Sequence, residues 1–207
     1  MPVRAPLVLA WCILGLAGPL DAQQVAFGAS VGAVRLTREN QAGKVLLSAT
    51  SVGVEGAIGV SVVGLGFQYA QGSLRGGTTP DQDLVEGELM VSLRPVRNLA
   101  FLFGPHARAL VSRLGTERWL LYEGRVRGEA VLVGPVRGRL DVWRVVGSNV
   151  NVPEAFDSGY GLDGVLTVTL PSFPLGLSLR YRAERAQLAN DTRRESIEHL
   201  TLVLGLR

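Results

Sequence analysis

Thirteen ionisable side chains fall at alternate positions in five segments of this chain. They are Glu86 and Glu88; His106 and Arg108; Glu123, Arg125, Arg127 and Glu129; Arg139 and Asp141; and Arg180, Arg182 and Glu184. On an extended strand, residues two apart share a face, so each segment would present one charged side. Carboxylates and guanidiniums shown this way form charge-assisted, often bidentate, hydrogen bonds once neighbouring strands bring them together. The first chemistry they suggest is an ion-pair network filling a narrow barrel. The second is a charged constriction for a small solute.

Acid–base and metal chemistry find less to work with. The chain has two histidines, His106 and His199. A general base needs an orienting partner within hydrogen-bond reach, and His199 with Ser196 and Glu195 is the one local cluster of that kind. "PDQDLVEGE" at 80–88 gathers carboxylates that would suit calcium, yet it lacks the spacing and turn glycine of a calcium loop. "GLG" lacks the strand–loop–helix setting of a phosphate cradle. We expect no catalytic residue, no metal and no cofactor.

The elements that carry these residues read as strands. No stretch of twelve or more residues sustains a 3.6-residue apolar period, whereas period two appears nearly everywhere. In 83–94, Val85, Gly87, Leu89, Val91 and Leu93 share one face. Glu86, Glu88, Ser92 and Arg94 share the other, with Leu84 and Met90. The spacing predicts ten strands, at 24–37, 46–57, 61–74, 83–94, 98–112, 117–133, 137–149, 159–170, 175–188 and 195–207, the second being the weakest; eight is the alternative count. Most exceed the usual five or six residues and match the nine to eleven of a tilted bilayer-crossing strand.

Connections near 58–60, 95–97, 134–136 and 171–174 are short, and three carry proline, which stops a strand and cannot donate to a ladder. Those at 38–45, 75–82, 150–158 and 189–194 are longer and polar; the one at 113–116 is short. Tight and loose connections thus alternate, as they do at opposite ends of an up-and-down meander. Beyond the first 22 residues the tripeptide Pro-Val-Arg recurs at 95–97 and 135–137, which places both of these copies in reversals at one end.

Residues 1–22 have the layout of a secretory signal peptide: Arg4, an apolar run from Leu7 to Leu20, and a small-residue cut after Ala22. The remaining 23–207 reads as one domain. Cys12, the sole cysteine, lies in the leader, so the mature part has no disulfide and no cysteine-based metal site. Charged residues make up only 19% of the chain, with a net charge of +3. Arginines are interleaved with acids rather than clustered, which argues against a nucleic-acid partner.

Alternation alone does not say which face is outside. Spanning length, short turns at one end with longer loops at the other, and a secretory leader favour apolar out. So do aromatics near the ends of the apolar face: Tyr69, Tyr122, Tyr160 and Tyr181 toward the loops, Phe101 and Phe103 toward the turns. In hydrocarbon every backbone polar group needs a partner within the protein, so the sheet must close. The expected fold is an all-β, closed, antiparallel, up-and-down transmembrane β-barrel with both termini at the turn end. In "RLDVWRVV" (139–146), inward Arg139 and Asp141 would send Arg144 toward lipid, which is costly at mid-bilayer and cheap near an interface, so a parity-shifting bulge or an interfacial position is expected there.

Over its whole mature length the chain resembles bacterial outer-membrane β-barrel proteins. "HLTLVLGLR" (199–207) is similar to their terminal strand, with Arg207 in place of the usual final aromatic. The resemblance implies outer-membrane lipid, lipopolysaccharide and the barrel-assembly machinery as partners, with no implied oligomeric state. Omptin proteases share a ten-strand architecture, using acidic pairs and an Asp-His pair near the outer rim; neither histidine here stands in such a motif. The expected role is structural or surface-interacting and non-enzymatic. Alternatives are a narrow pore for small solutes, an outer-membrane hydrolase, or a soluble periplasmic barrel.

Overall fold

The structure is a computed structural model that describes residues 23–76, 80–169, 175–189 and 192–206. The expected leader at 1–22, with Cys12, and the expected turn at 171–174 lie outside the described residues. Ten antiparallel strands follow in chain order: β1 (Gln23–Asn40), β2 (Gly43–Val60), β3 (Val63–Leu74), β4 (Gln82–Val96), β5 (Leu99–Ser112), β6 (Gly115–Val133), β7 (Val136–Val150), β8 (Phe156–Thr169), β9 (Leu175–Leu188) and β10 (Arg193–Leu206). Each pairs with its neighbours in sequence, and β1 pairs with β10 from Phe27↔Leu206 to Asn40↔Arg193. The barrel is closed, each strand pairing on both sides. Gln23 and Leu206 both lie at the turn end.

Seven of the ten strands run longer than the sequence pattern implies; β3 and β5 are slightly shorter and β9 is as expected. β2, the weakest of the ten in sequence, spans 18 residues, and the expected 38–45 loop is only Gln41–Ala42 between Asn40 and Gly43. Gly43 takes φ +137°, a conformation that suits glycine. Polar residues at the top of β1 and β2 do not end pairing, because a ladder needs backbone partners and not apolar side chains. The two Pro-Val-Arg copies do lie at the same end, but they serve it differently. Arg97–Asn98 form the first reversal, leaving Pro95 and Val96 in β4; Gly134–Pro135 form the second, leaving Val136 and Arg137 in β7.

Alternation sorts the side chains. Forty large apolar or aromatic side chains among the described residues are 38% or more exposed, while Glu86, His106, Arg108, Glu123, Arg125, Asp141, Arg180, Arg182 and Glu184 are buried inside. A soluble barrel would hide the first set. Along β1 the outward apolar run is Val25, Phe27, Ala29, Val31 and Ala33. At roughly 3.3 Å per residue and roughly 40° of tilt it stands roughly 20–25 Å tall.

Above that band the polarity inverts. The outward residues become Arg35, Thr37 and Glu39 on β1, Gln71 and Ser73 on β3, Arg185 on β9, and Arg194, Ser196 and Glu198 on β10. The inward residues at the same height become apolar: Leu36, Leu74 and Ile197, joined by Val34, Leu47, Leu84 and Leu110 in one buried cluster. On the other wall Trp119, Leu121, Ala186 and Leu188 form a second, with Phe156 and Val145 packed on it. The loop-end third is therefore built like a water-soluble barrel. The turn-end part is built inside out.

All six expected boundary aromatics face outward. Phe101 and Phe103 lie toward the turn end of β5, joined there by the edge-to-face pair Phe27–Phe67 at 5.5 Å. Tyr69 and Tyr181 require a correction, for they stand midway along β3 and β9 and not at their loop ends. They still stand at or near the upper limit of the apolar band, since Gln71 and Arg185 follow on the same faces; the strands overshoot the band. Arg144 keeps its parity and faces out beside Tyr160, its register partner. A bulge does occur, between Tyr122/Glu123 and Gly147/Val145, but on the loop side of Arg144, so it does not turn that side chain inward. Arg144, Tyr160 and Arg185 are consecutive register partners at the upper border of the band.

Candidate functional site

The lumen holds three layers. At the loop-end rim, Arg38 donates to Glu195 at 2.8 Å and to Glu117 at 2.9 Å. Arg193 also donates to both acids, and its guanidinium lies 5.9 Å from the Trp119 ring centre. These four charges close over the two apolar clusters. The sequence places Arg193 in a surface loop; the structure turns it inward, because pairing with β1 continues to Asn40↔Arg193.

The middle layer is ionic. Arg108 donates to Glu86 at 2.9 Å and to Glu184 at 2.5 Å. Arg125 donates to Glu123 and, at 2.5 Å, to Glu88, which also accepts from Arg182 at 2.7 Å. Arg125 and Arg182 both sit on the Trp143 ring, at 4.7 and 4.9 Å from its centre. His106 Nδ1 lies 3.0 Å from a Glu123 oxygen and 3.2 Å from Arg182 Nη2. It can donate to the first or accept from the second, but not both at once.

Three consequences follow for chemistry. His199, Ser196 and Glu195 do not form a constellation: His199 points inward, 3.3 Å from Glu86, while Ser196 faces outward. The carboxylates of 80–88 are likewise divided. Asp83 accepts from Ser73 at 2.6 Å on the outer face, and Glu86 and Glu88 point inward. Alternation separates what proximity in sequence suggested. His106, Glu123 and Glu184 bring ligand atoms within 4.8 Å of one another. Their carboxylates, however, already accept from Arg125, Arg182 and Arg108, and a cation there would face those guanidiniums.

The turn-end layer opens into a cavity of about 380 Å³. Arg127 holds Asp141 through a bidentate pair at 2.9 and 2.7 Å. Arg180 donates to Glu55 at 2.7 Å and Gln68 at 3.0 Å. Arg139 is held more loosely, 3.5 Å from Asp163 and 3.7 Å from Asp141. Glu129 lies at the mouth, where it accepts from Arg94 at 3.3 Å. Small inward residues on the opposite wall, Gly28, Ala57, Gly59, Gly64 and Gly66, leave the space.

All thirteen charged residues singled out in the sequence face inward, divided between the middle and turn-end layers. Sequence reasoning missed Glu55, Asp163 and Trp143, although each shares strand parity with inward neighbours. It also missed the apolar plug, since Leu84 and Met90 counted as exceptions on a polar face. They belong to different buried clusters, Leu84 to the loop-end plug and Met90 to a small one with Ala100 and Leu102.

No protein-family model and no curated protein matches the sequence. Among solved structures, the outer membrane protease OmpT of Escherichia coli superposes with a TM-score of 0.57 at 10% identity, covering 89% of this chain and 95% of that one. Neisserial surface protein A gives 0.46 at 10% identity, over 87% and 97%. The translocator domain of the autotransporter NalP from Neisseria meningitidis gives 0.46 at 11%, over 97% and 95%. At such identities the likeness is one of fold. In architecture, this closed ten-strand barrel resembles bacterial outer-membrane β-barrel proteins.

Proposed function

We propose that this chain is a non-enzymatic outer-membrane barrel with a closed lumen, turn end to the periplasm, serving a structural or surface-interaction role. The observation that carries the reading is the inversion of polarity at one height. Below it apolar residues face out and ions face in; above it Arg35, Glu198 and Arg185 face out while Leu36 and Ile197 face in. A barrel in one solvent has no use for both arrangements. One crossing from hydrocarbon into water needs each in its place, because buried apolar area is favourable only against water and outward charge is costly only against lipid. Outer-membrane lipid and lipopolysaccharide would meet the outward face, and the barrel-assembly machinery would insert it.

Two apolar clusters and two ionic layers favour a sealed barrel over a narrow pore. The ten strands also lie nearer the filled than the open range of barrel sizes. Membrane fractionation with heat-modifiable gel mobility tests the location. The folded chain should sediment with the outer membrane and shift mobility on boiling; release into a detergent-free wash would refute it. In planar bilayers the barrel should be silent, and discrete conductance steps would overturn the closed lumen.

A further inference from the structure

The turn-end cavity is built differently from the rest of the lumen. Its volume of about 380 Å³ falls in the range of small-molecule sites. The loop side of the barrel is sealed by Leu36, Leu74, Leu188 and Trp119, each no more than 1% exposed. The cavity is therefore a blind cup, entered from the turn end.

Its walls differ in chemistry. Met90, Leu102, Val165 and Val203 supply apolar lining, and Gly59 and Gly66 leave room opposite. Four guanidiniums reach it, that of Arg94 at the mouth, where it pairs with Glu129, and the three deeper ones are not equally satisfied. Arg127 has two short bonds to Asp141, and Arg180 has two to Glu55 and Gln68. Among the described residues Arg139 has no acceptor closer than 3.5 Å and its side chain is 23% exposed; its Nε lacks a hydrogen-bond partner, as does that of Arg180, but Arg139 has no short bond elsewhere on its guanidinium to make up for it. A planar fork of donors left this free is suited to a carboxylate.

Charge sets the valence of the ligand. Arg127, Arg139 and Arg180 are matched by Glu55, Asp141 and Asp163, Arg94 at the mouth is matched by Glu129, and Glu88 at the floor is taken up by Arg125 and Arg182, so the cup is close to neutral. A phosphate or dicarboxylate would add two uncompensated charges beside apolar walls; a single carboxylate adds one, at Arg139. We infer that the cup binds a small organic monocarboxylate, its carboxylate on Arg139 and its apolar body against Met90, Leu102, Val165 and Val203. The site rests on the membrane reading only for the compartment from which the ligand enters.

Benzoate and its neutral amide are the probes, titrated calorimetrically into the folded chain in detergent, with protein-free micelles as the blank. Benzoate should bind saturably. Benzamide should bind about tenfold more weakly, as should benzoate to Arg139→Gln, the loss expected when one charge-assisted contact goes. Gly66→Leu keeps every charge, and its Cβ would meet only the Gly56 carbonyl at 3.8 Å. It should fill the cup, abolish binding and preserve heat-modifiable mobility. No saturable benzoate binding by the folded chain, or undiminished binding in Gly66→Leu, would overturn the inference. A chain that binds benzoate but fractionates away from the outer membrane would refute the location and leave the site standing. A membrane-embedded barrel that does not bind would refute the site alone.

Discussion

The loop-end and turn-end parts of this barrel solve opposite problems with one secondary structure. Near the loop end, Leu36, Leu47, Leu74, Leu110 and Ile197 pack inward under a polar exterior, with a ring of four charges as a cap. Near the turn end, Leu177, Leu179, Leu202 and Leu204 face outward, and arginines and carboxylates line the interior. The lesson is that strand alternation fixes only that two faces differ. The surroundings at each height decide which face carries which chemistry.

The largest expected effect comes from the ionic layer between the two parts. Glu184 accepts from Arg108 and Arg182 and is 2% exposed. Replacing it by Leu removes one carboxylate partner from each of two buried guanidiniums, leaving Arg108 with Glu86 and Arg182 with Glu88, and should cost about 3–5 kcal/mol, read as a lower urea midpoint for loss of the folded gel band. An unchanged midpoint would mean the layer is hydrated and open. Leu110→Ala, in the loop-end cluster, should cost about 2–5 kcal/mol through the cavity it leaves. A loss well below that range would mean the cluster is loosely packed.

Leu202→Arg tests the inversion itself. On the outward face within the apolar band it should destabilise by about 2–4 kcal/mol in lipid vesicles. Ser196→Arg, on the same face of β10 but above the band, should change stability by no more than about 0.5 kcal/mol. Equal effects of the two substitutions would abolish the distinction drawn between the two parts. Another small effect belongs to the mouth of the cup. Arg94 and Glu129 are 37% and 36% exposed, so Arg94→Ala should cost no more than about 1 kcal/mol, falling with salt.

Much of the fold is legible in the chain because period-two alternation is a local property. The inward parity of Glu123, Arg125 and Arg127 follows from their own segment. Strand count follows from where alternation breaks. The partners were not legible. Arg125 meets Glu88 across 37 positions, Arg108 meets Glu184 across 76, and Arg180 meets Glu55 across 125. Such pairs exist only after the barrel closes and its register is set. His199 and Ser196 show the reverse case, since nearness in sequence gave nearness on paper and opposite faces in space.

The sequence by itself determined an all-β chain of ten strands, with one charged and one apolar face along most of its length, because side chains on a strand alternate whatever surrounds them. Only the tertiary structure decided at what height each residue stands, since height depends on how ten registers add up around a closed ring. From height come the apolar plug, the ionic layer beneath it and the cup with its loosely held Arg139. No residue's own neighbours in the chain encode that coordinate.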